Sequence, residues 1–183
     1  LTRAALQSLW DLRMVVDQSE WRVRVDPIVI SDCPRVLDVC ASWFRFDTVN
    51  HPNENLIQKL NSGRGHAEFH SSHFDGIIGL GSDDFIDANY IRAAADACRR
   101  GVDFWGVRDG YFYDEPTGRM IHWPGYTGAR EGEPIGPGRM LSRRYHELCD
   151  WKPWGDTPDQ YTDRAMMRVL DGPGMLHLPG ADG

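Results

Sequence analysis

A chain of 183 residues, 41% of them hydrophobic and seven of them tryptophan, carries enough apolar side chain to bury a core in one domain. Its 27 acidic against 20 basic residues give a formal net charge of -7, which argues against a general nucleic-acid coat, because phosphate binding needs clustered lysine and arginine. No apolar run approaches the roughly 20 residues that span a bilayer, and Cys33, Cys40, Cys98 and Cys149 form no CxxC pair, which argues against a zinc knuckle or a disulfide scaffold. With no secretory signal, the expected setting is a reducing cytoplasm. The chain opens at Leu1 inside an apparent helix, so further sequence upstream is expected.

Leu1, Ala5, Leu6 and Leu9 stand at helical spacing, and Trp21-Arg22-Val23-Arg24-Val25 alternates as a strand does. Ile28-Val29-Ile30 is a second apolar run, ending at the polar turn Ser31-Asp32-Cys33-Pro34. Val36, Leu37, Val39, Cys40, Trp43 and Phe44 predict a helix, Phe46 to Val49 a short strand, and His51-Pro52-Asn53-Glu54-Asn55 an Asn-rich turn. A helix follows from Leu56 toward residue 72, then the apolar strand leading into Gly79-Leu80-Gly81-Ser82-Asp83-Asp84, then a helix over Phe85 to Arg100 with Tyr90, Ile91, Ala94 and Cys98 on one face. This alternation predicts an α/β half with a mostly parallel sheet and covering helices.

Beyond residue 101 the texture changes. Val102 to Val107, Gly110 to Tyr113 and Arg119 to Trp123 read as short antiparallel strands, the last two joined by the turn Asp114-Glu115-Pro116-Thr117-Gly118. Residues 124 to 138 hold five glycines and three prolines and predict a long loop of the lid or binding kind. Helices are expected from Ser142 and from about Pro158 to Leu170, before an irregular tail. The reading is one domain over 1-183 in two textures, with a boundary near residue 100.

Two adjacent carboxylates at a strand's end point into the crevice where open α/β sheets bind ligands. With a hard divalent cation, Asp83 and Asp84 suit a phosphorylated substrate. The same Ser82-Asp83-Asp84 also has the composition of a helix N-cap. His66, His70 and His73 fall at i, i+4 and i+7, one face of a helix, and form a possible zinc set without the HExxH order. Arg139, Arg143 and Arg144 form a local basic group.

The order of these features resembles the nucleotide-sugar glycosyltransferases of GT-A fold, especially the inverting family 2. The resemblance covers residues 1 to 100 well and the rest more loosely. Gly79-Leu80-Gly81-Ser82-Asp83-Asp84-Phe85 is similar to the family's Leu-Asp-x-Asp-Asp stretch, its DxD motif, with Gly81 standing where the first aspartate would. The resemblance implies a GT-A-like (Rossmann-like) sheet with a smaller, loop-rich acceptor-side half. It implies a sugar moved, with inversion, from a nucleoside diphosphate to an acceptor hydroxyl. Asp32 then contacts the base, and Asn55, Ser82, Asp83 and Arg143 bind the nucleotide sugar. Asp83, Asp84 and His177 hold Mn²⁺ or Mg²⁺, and Asp156, with Asp159 as the alternative, serves as general base. Asp156 or Thr157 before Pro158 is equally a good helix start. The acceptor is open: a small molecule, glycan, protein or modified nucleic acid. Two other readings remain, a zinc-dependent hydrolase built on His66, His70 and His73, and a non-catalytic nucleotide-sugar-binding module.

Overall fold

The computed structural model describes residues 3-52, 55-70, 73-150 and Pro153. Helix α1 (Arg3–Asp17) buries Ala5, Leu6, Leu12 and Val16 along one stripe, so the helical spacing continues a full turn and more beyond Leu9. The alternating Trp21 to Val25 stretch, with Arg22 in the left-handed region at φ 54, turns Trp21, Val23 and Val25 toward Leu12, Val16 and Ile91. It joins no strand ladder among the described residues. The alternation therefore records which side chains are covered, not a hydrogen-bonded strand.

Strand β1 (Ile28–Ser31) pairs in parallel with β2 (Asp47–Asn50), joined by α2 (Pro34–Val39) and a wider helical turn over Cys40–Phe44. Pro34 sits at the first turn of α2, where its missing N–H costs nothing. The turn closes at Arg45, in the left-handed region at φ 52, so that Phe46 swings under Trp10 and Phe44. Leu6, Val29, Cys40 and Phe46 form the core of this layer. Helix α3 (Leu56–His70) crosses β1 at Gly63, where any Cβ would stand 2.2 Å from the Ile30 side chain. Only glycine lets the helix approach this closely.

Strand β3 (Gly76–Ile78), α4 (Ala88–Arg99) and β4 (Phe104–Trp105) precede a hairpin of β5 (Gly110–Asp114) and β6 (Arg119–Trp123). The chain then returns as β7 (Met140–Ser142) and ends its described course in α5 (Arg143–Leu148). Strand β7 lies between β3 and β4 and is antiparallel to both. Parallel pairing is thus confined, among the described residues, to β1 and β2, and the expected mostly parallel sheet is corrected to small parallel and antiparallel sheets in a mixed α/β arrangement. The cause is the excursion over residues 106-139, which sends the middle strand back in reverse.

Helix α4 packs Ala94 and Ala97 against Val102, Trp105 and Met140, with Tyr90 and Cys98 beside them. Its small residues let the helix lie close to the strands. Leu9 touches both the β1–β2 core and the α4 core, so α1 bridges the two layers.

Candidate functional site

Because β3 and β4 each run antiparallel to β7, they run parallel to one another, and their carboxyl ends reach the same edge of the sheet. Beyond Ile78 the pairing continues for one more step, with the Gly79 N–H donating to the Arg139 carbonyl at 3.3 Å and Gly138 N–H to the Gly79 carbonyl at 2.9 Å. There the glycine-rich return meets the strand that leads into the acidic turn. This edge holds the candidate site.

In the turn itself, the Gly81 N–H donates to Asp84 Oδ2 at 2.6 Å. A Cβ on residue 81 would lie 2.8 Å from that oxygen and 3.2 Å from Asp83 Oδ1. Both carboxylates therefore face the bare Gly81 backbone, and a side chain there would push them away. Asp83 and Ser82 are exposed and Asp84 is half-buried. The helix-cap reading of this stretch is overturned: α4 begins at Ala88 and its cap is Asp87, whose Oδ1 accepts from the Tyr90 N–H at 2.7 Å. Ser82, Asp83 and Asp84 are left on the connection between β3 and α4.

The loop that faces this turn is pinned at both roots. Gly125, at φ +94, passes so close to Arg108 that a Cβ would fall 2.1 Å from the Arg108 carbonyl oxygen, and Ile135 N–H donates to the Val107 carbonyl at 2.8 Å. Arg139 is buried beneath it, with Nη2 donating to the Pro134 carbonyl at 2.7 Å and Nε to that of Ile135 at 3.0 Å. The Tyr90 hydroxyl, whose pKa burial pushes up, donates to the Gly138 carbonyl. Between the roots, Arg108, Tyr126, Thr127, Glu131 and Glu133 line a half-open cavity of about 350 Å³. Arg130 lies 3.6 Å over the Tyr126 ring and pairs with Glu133 at 2.7 Å. At the hairpin's base His122 Nε2 meets Asp109 Oδ2 at 2.9 Å.

The three arginines do not act as one patch. Arg139 binds loop carbonyls, and Arg144 is held by the buried Asp103, which the sequence reading passed over and which also accepts from Ser142 Oγ at 2.8 Å. Arg143 donates Nε to Glu147 at 2.9 Å and lies over Phe74. Its N–H donates to the Asp75 carbonyl, so it stands at the far end of β3 from Asp83. The arrangement does not bring Arg143 to the acidic turn. Arg139 stands opposite Gly79 at that edge, and counting the β7 register back from Met140 is the signal that finds it.

Asp32 is exposed at the carboxyl end of β1, where His51 N–H donates to the Ser31 carbonyl at 3.1 Å. It thus sits at the end of a parallel strand, as expected, in the other sheet from Asp83. Asn55 Oδ1 accepts from the Gln58 N–H at 3.1 Å and caps α3. His66 and His70 stack with ring centroids 4.2 Å apart, and His66 faces Asp47 at 3.6 Å. Helix α3 ends at His70, so His73 lies beyond it and the expected three-histidine helix face does not form. Asp156, Asp159 and His177 lie outside the described residues.

Among the described residues no group of three or more His, Cys, Asp or Glu is arranged to hold a metal ion, and no helix is long and apolar enough to cross a membrane. No protein-family model matches the chain. No curated protein matches it either.

Proposed function

We propose that the chain is a nucleotide-sugar-dependent glycosyltransferase of GT-A type, acting at the shared carboxyl edge of β3 and β4. One observation carries the reading. An exposed carboxylate, Asp83, and a half-buried one, Asp84, are gathered around a bare glycine backbone at a strand end, directly opposite the root of a long glycine-rich loop. Such an edge is where α/β sheets take ligands. The loop is of the length that covers them.

Asp83 and Asp84 offer oxygen donors only, which suits Mn²⁺ or Mg²⁺. Two carboxylates fit a small cation that completes its shell with water and diphosphate oxygens instead of a closed protein cage. When bound, such a cation neutralises the charge developing on the departing nucleoside diphosphate. The chain's own groups do the rest. Asp84 holds the Gly81 turn in shape, beside the exposed Asp83, and Arg108 supplies positive charge in the loop cavity. The loop, rooted at Gly125 and Ile135, excludes water when it closes. In transfer, the acceptor oxygen bonds to the anomeric carbon as that carbon's bond to the diphosphate breaks. The acceptor proton passes to a carboxylate, for which Asp156, then Asp159, is assigned from the family resemblance.

The test is a thermal-shift and hydrolysis screen of nucleoside-diphosphate sugars with and without Mn²⁺. Saturation near 100 times Kd stabilises the native state by about 2.7 kcal/mol. Stabilisation by one donor, needing the metal and lost in Asp83→Asn, supports the reading. No metal-dependent stabilisation by any donor refutes it. Binding without turnover moves the chain to the non-catalytic class.

A further inference from the structure

The wall between the two roots of the glycine-rich loop is braced from within. The single helical turn Gly128–Arg130 is closed by the Glu131 N–H donating to the Gly128 carbonyl at 3.1 Å, and the Glu133 N–H donates to the Arg130 carbonyl at 3.0 Å. Arg130 lies 3.6 Å over the Tyr126 ring and pairs with Glu133 at 2.7 Å, while Trp123 packs edge to face with Tyr126 at 5.1 Å between centroids. Tyr126 and Glu133 are each held by neighbours of their own loop, so a ligand has little left to order.

The cavity that they line together with Arg108, Pro124, Thr127 and Glu131 measures about 350 Å³, at the lower end of the roughly 300–1,000 Å³ usual for small-molecule sites. That is room for a single-ring ligand. Its chemistry is mixed. Arg108 offers only donors, Glu131 and Glu133 only acceptors, and Thr127 both, while Tyr126 and Pro124 add apolar ring surface. Charges of both signs share one small space, so whatever draws in a phosphate or a lone cation is opposed by the other sign beside it. A ring with neighbouring hydroxyls needs this set. Each hydroxyl donates and accepts at once, and the C–H face between them suits an aromatic ring.

We propose that the loop cavity binds a neutral saccharide ring, its hydroxyls held by Glu131, Thr127 and Arg108 and its apolar face on Tyr126. None of the lining residues belongs to the acidic turn, and binding needs neither metal nor nucleotide. A ligand of about a dozen heavy atoms is held with a dissociation constant in the millimolar range.

Titration of the full chain with the methyl glycosides of glucose, galactose, mannose and N-acetylglucosamine tests this, followed by saturation-transfer NMR and tryptophan fluorescence with no metal or nucleotide present. The expected result is saturable binding of at least one glycoside. It weakens about tenfold in Glu131→Gln, which loses a charge-assisted hydrogen bond, and at least as much in Tyr126→Ala. The second variant also takes away the ring under Arg130, whereas Glu131 is exposed and its replacement leaves the fold intact. Inorganic phosphate and tetramethylammonium are the charged controls. No saturable binding of any glycoside, equal binding by parent and both variants, or a stronger response to phosphate or tetramethylammonium overturns the proposal. Because no donor is present, failure here is distinct from failure of donor binding at Asp83.

Discussion

Removing the carboxylate of Asp103 tests the network that ties β4 to β7. The residue is 1% exposed. It accepts from Ser142 Oγ at 2.8 Å, from Arg144 Nε at 2.9 Å and from a second guanidinium nitrogen. A hydrogen bond to a charged group contributes roughly 1.5–3 kcal/mol, and breaking a buried pair leaves the partner's desolvation uncompensated. The Arg144 side chain is 51% exposed, so water replaces part of what it loses and its share falls to the low end. Ser142 Oγ is buried but still accepts the Tyr145 N–H at 2.9 Å as the cap of α5. Asp103→Ala should therefore cost about 3 kcal/mol. Asp103→Asn keeps an acceptor for Ser142 and should cost about half as much. Urea unfolding at neutral pH, with the slope m unchanged, measures both. An alanine variant within about 0.5 kcal/mol of the parent, or an asparagine variant as costly as alanine, refutes the assignment.

Other consequences follow from the same geometry. Burial, reinforced by the Arg64 charge, lowers the pKa of His146 from 6.5 to about 4. The unfolded chain then takes up the proton first, so stability is full above about pH 6.5 and is lost as pH falls toward 4, by about 3 kcal/mol in all. Urea midpoints measured across that window should fall in the parent and stay flatter in His146→Phe. Burial, with Asp75 nearby, raises the Cys98 thiol to about 11, whereas Cys33 is exposed. Titration with a thiol reagent at neutral pH should modify Cys33 first and Cys98 only on unfolding. Gly81→Ala pushes the Asp84 carboxylate off the Gly81 N–H. If the acidic turn binds donor, hydrolysis of the sugar nucleotide should fall about tenfold, a loss of about 1.4 kcal/mol of transition-state stabilisation.

The local signals that were legible in the sequence share one property: they depend on neighbours in the chain. Pro34 opens α2, Ser142 caps α5, Gly118 closes the hairpin turn, and the strand ending at Gly79 leads into Asp83 and Asp84. Each follows from backbone geometry or side-chain periodicity within a few residues. Where a burial pattern imitated a ladder, as at Trp21 to Val25, the sequence marked the covered faces correctly but could not tell a paired strand from an unpaired segment. Periodicity reports burial and is silent about the hydrogen-bond partner.

Pairing across long separations was decided by tertiary structure alone. The return of β7 between β3 and β4 places Arg139 opposite Gly79 and sets Arg143 at the other end of the strand. Three arginines within six residues thus receive three unrelated sets of partners. Asp103, within an otherwise apolar stretch, receives Ser142 and Arg144 from about 40 residues away. Gly81, which in sequence occupies the place of a missing acid, is in the fold the gap that lets Asp84 reach the backbone. Sequence alone determined that this chain has an acidic strand end, a glycine-rich loop and helices to cover a sheet. Tertiary structure decided that the first two meet, because the register of an antiparallel strand joins residues that no local rule connects.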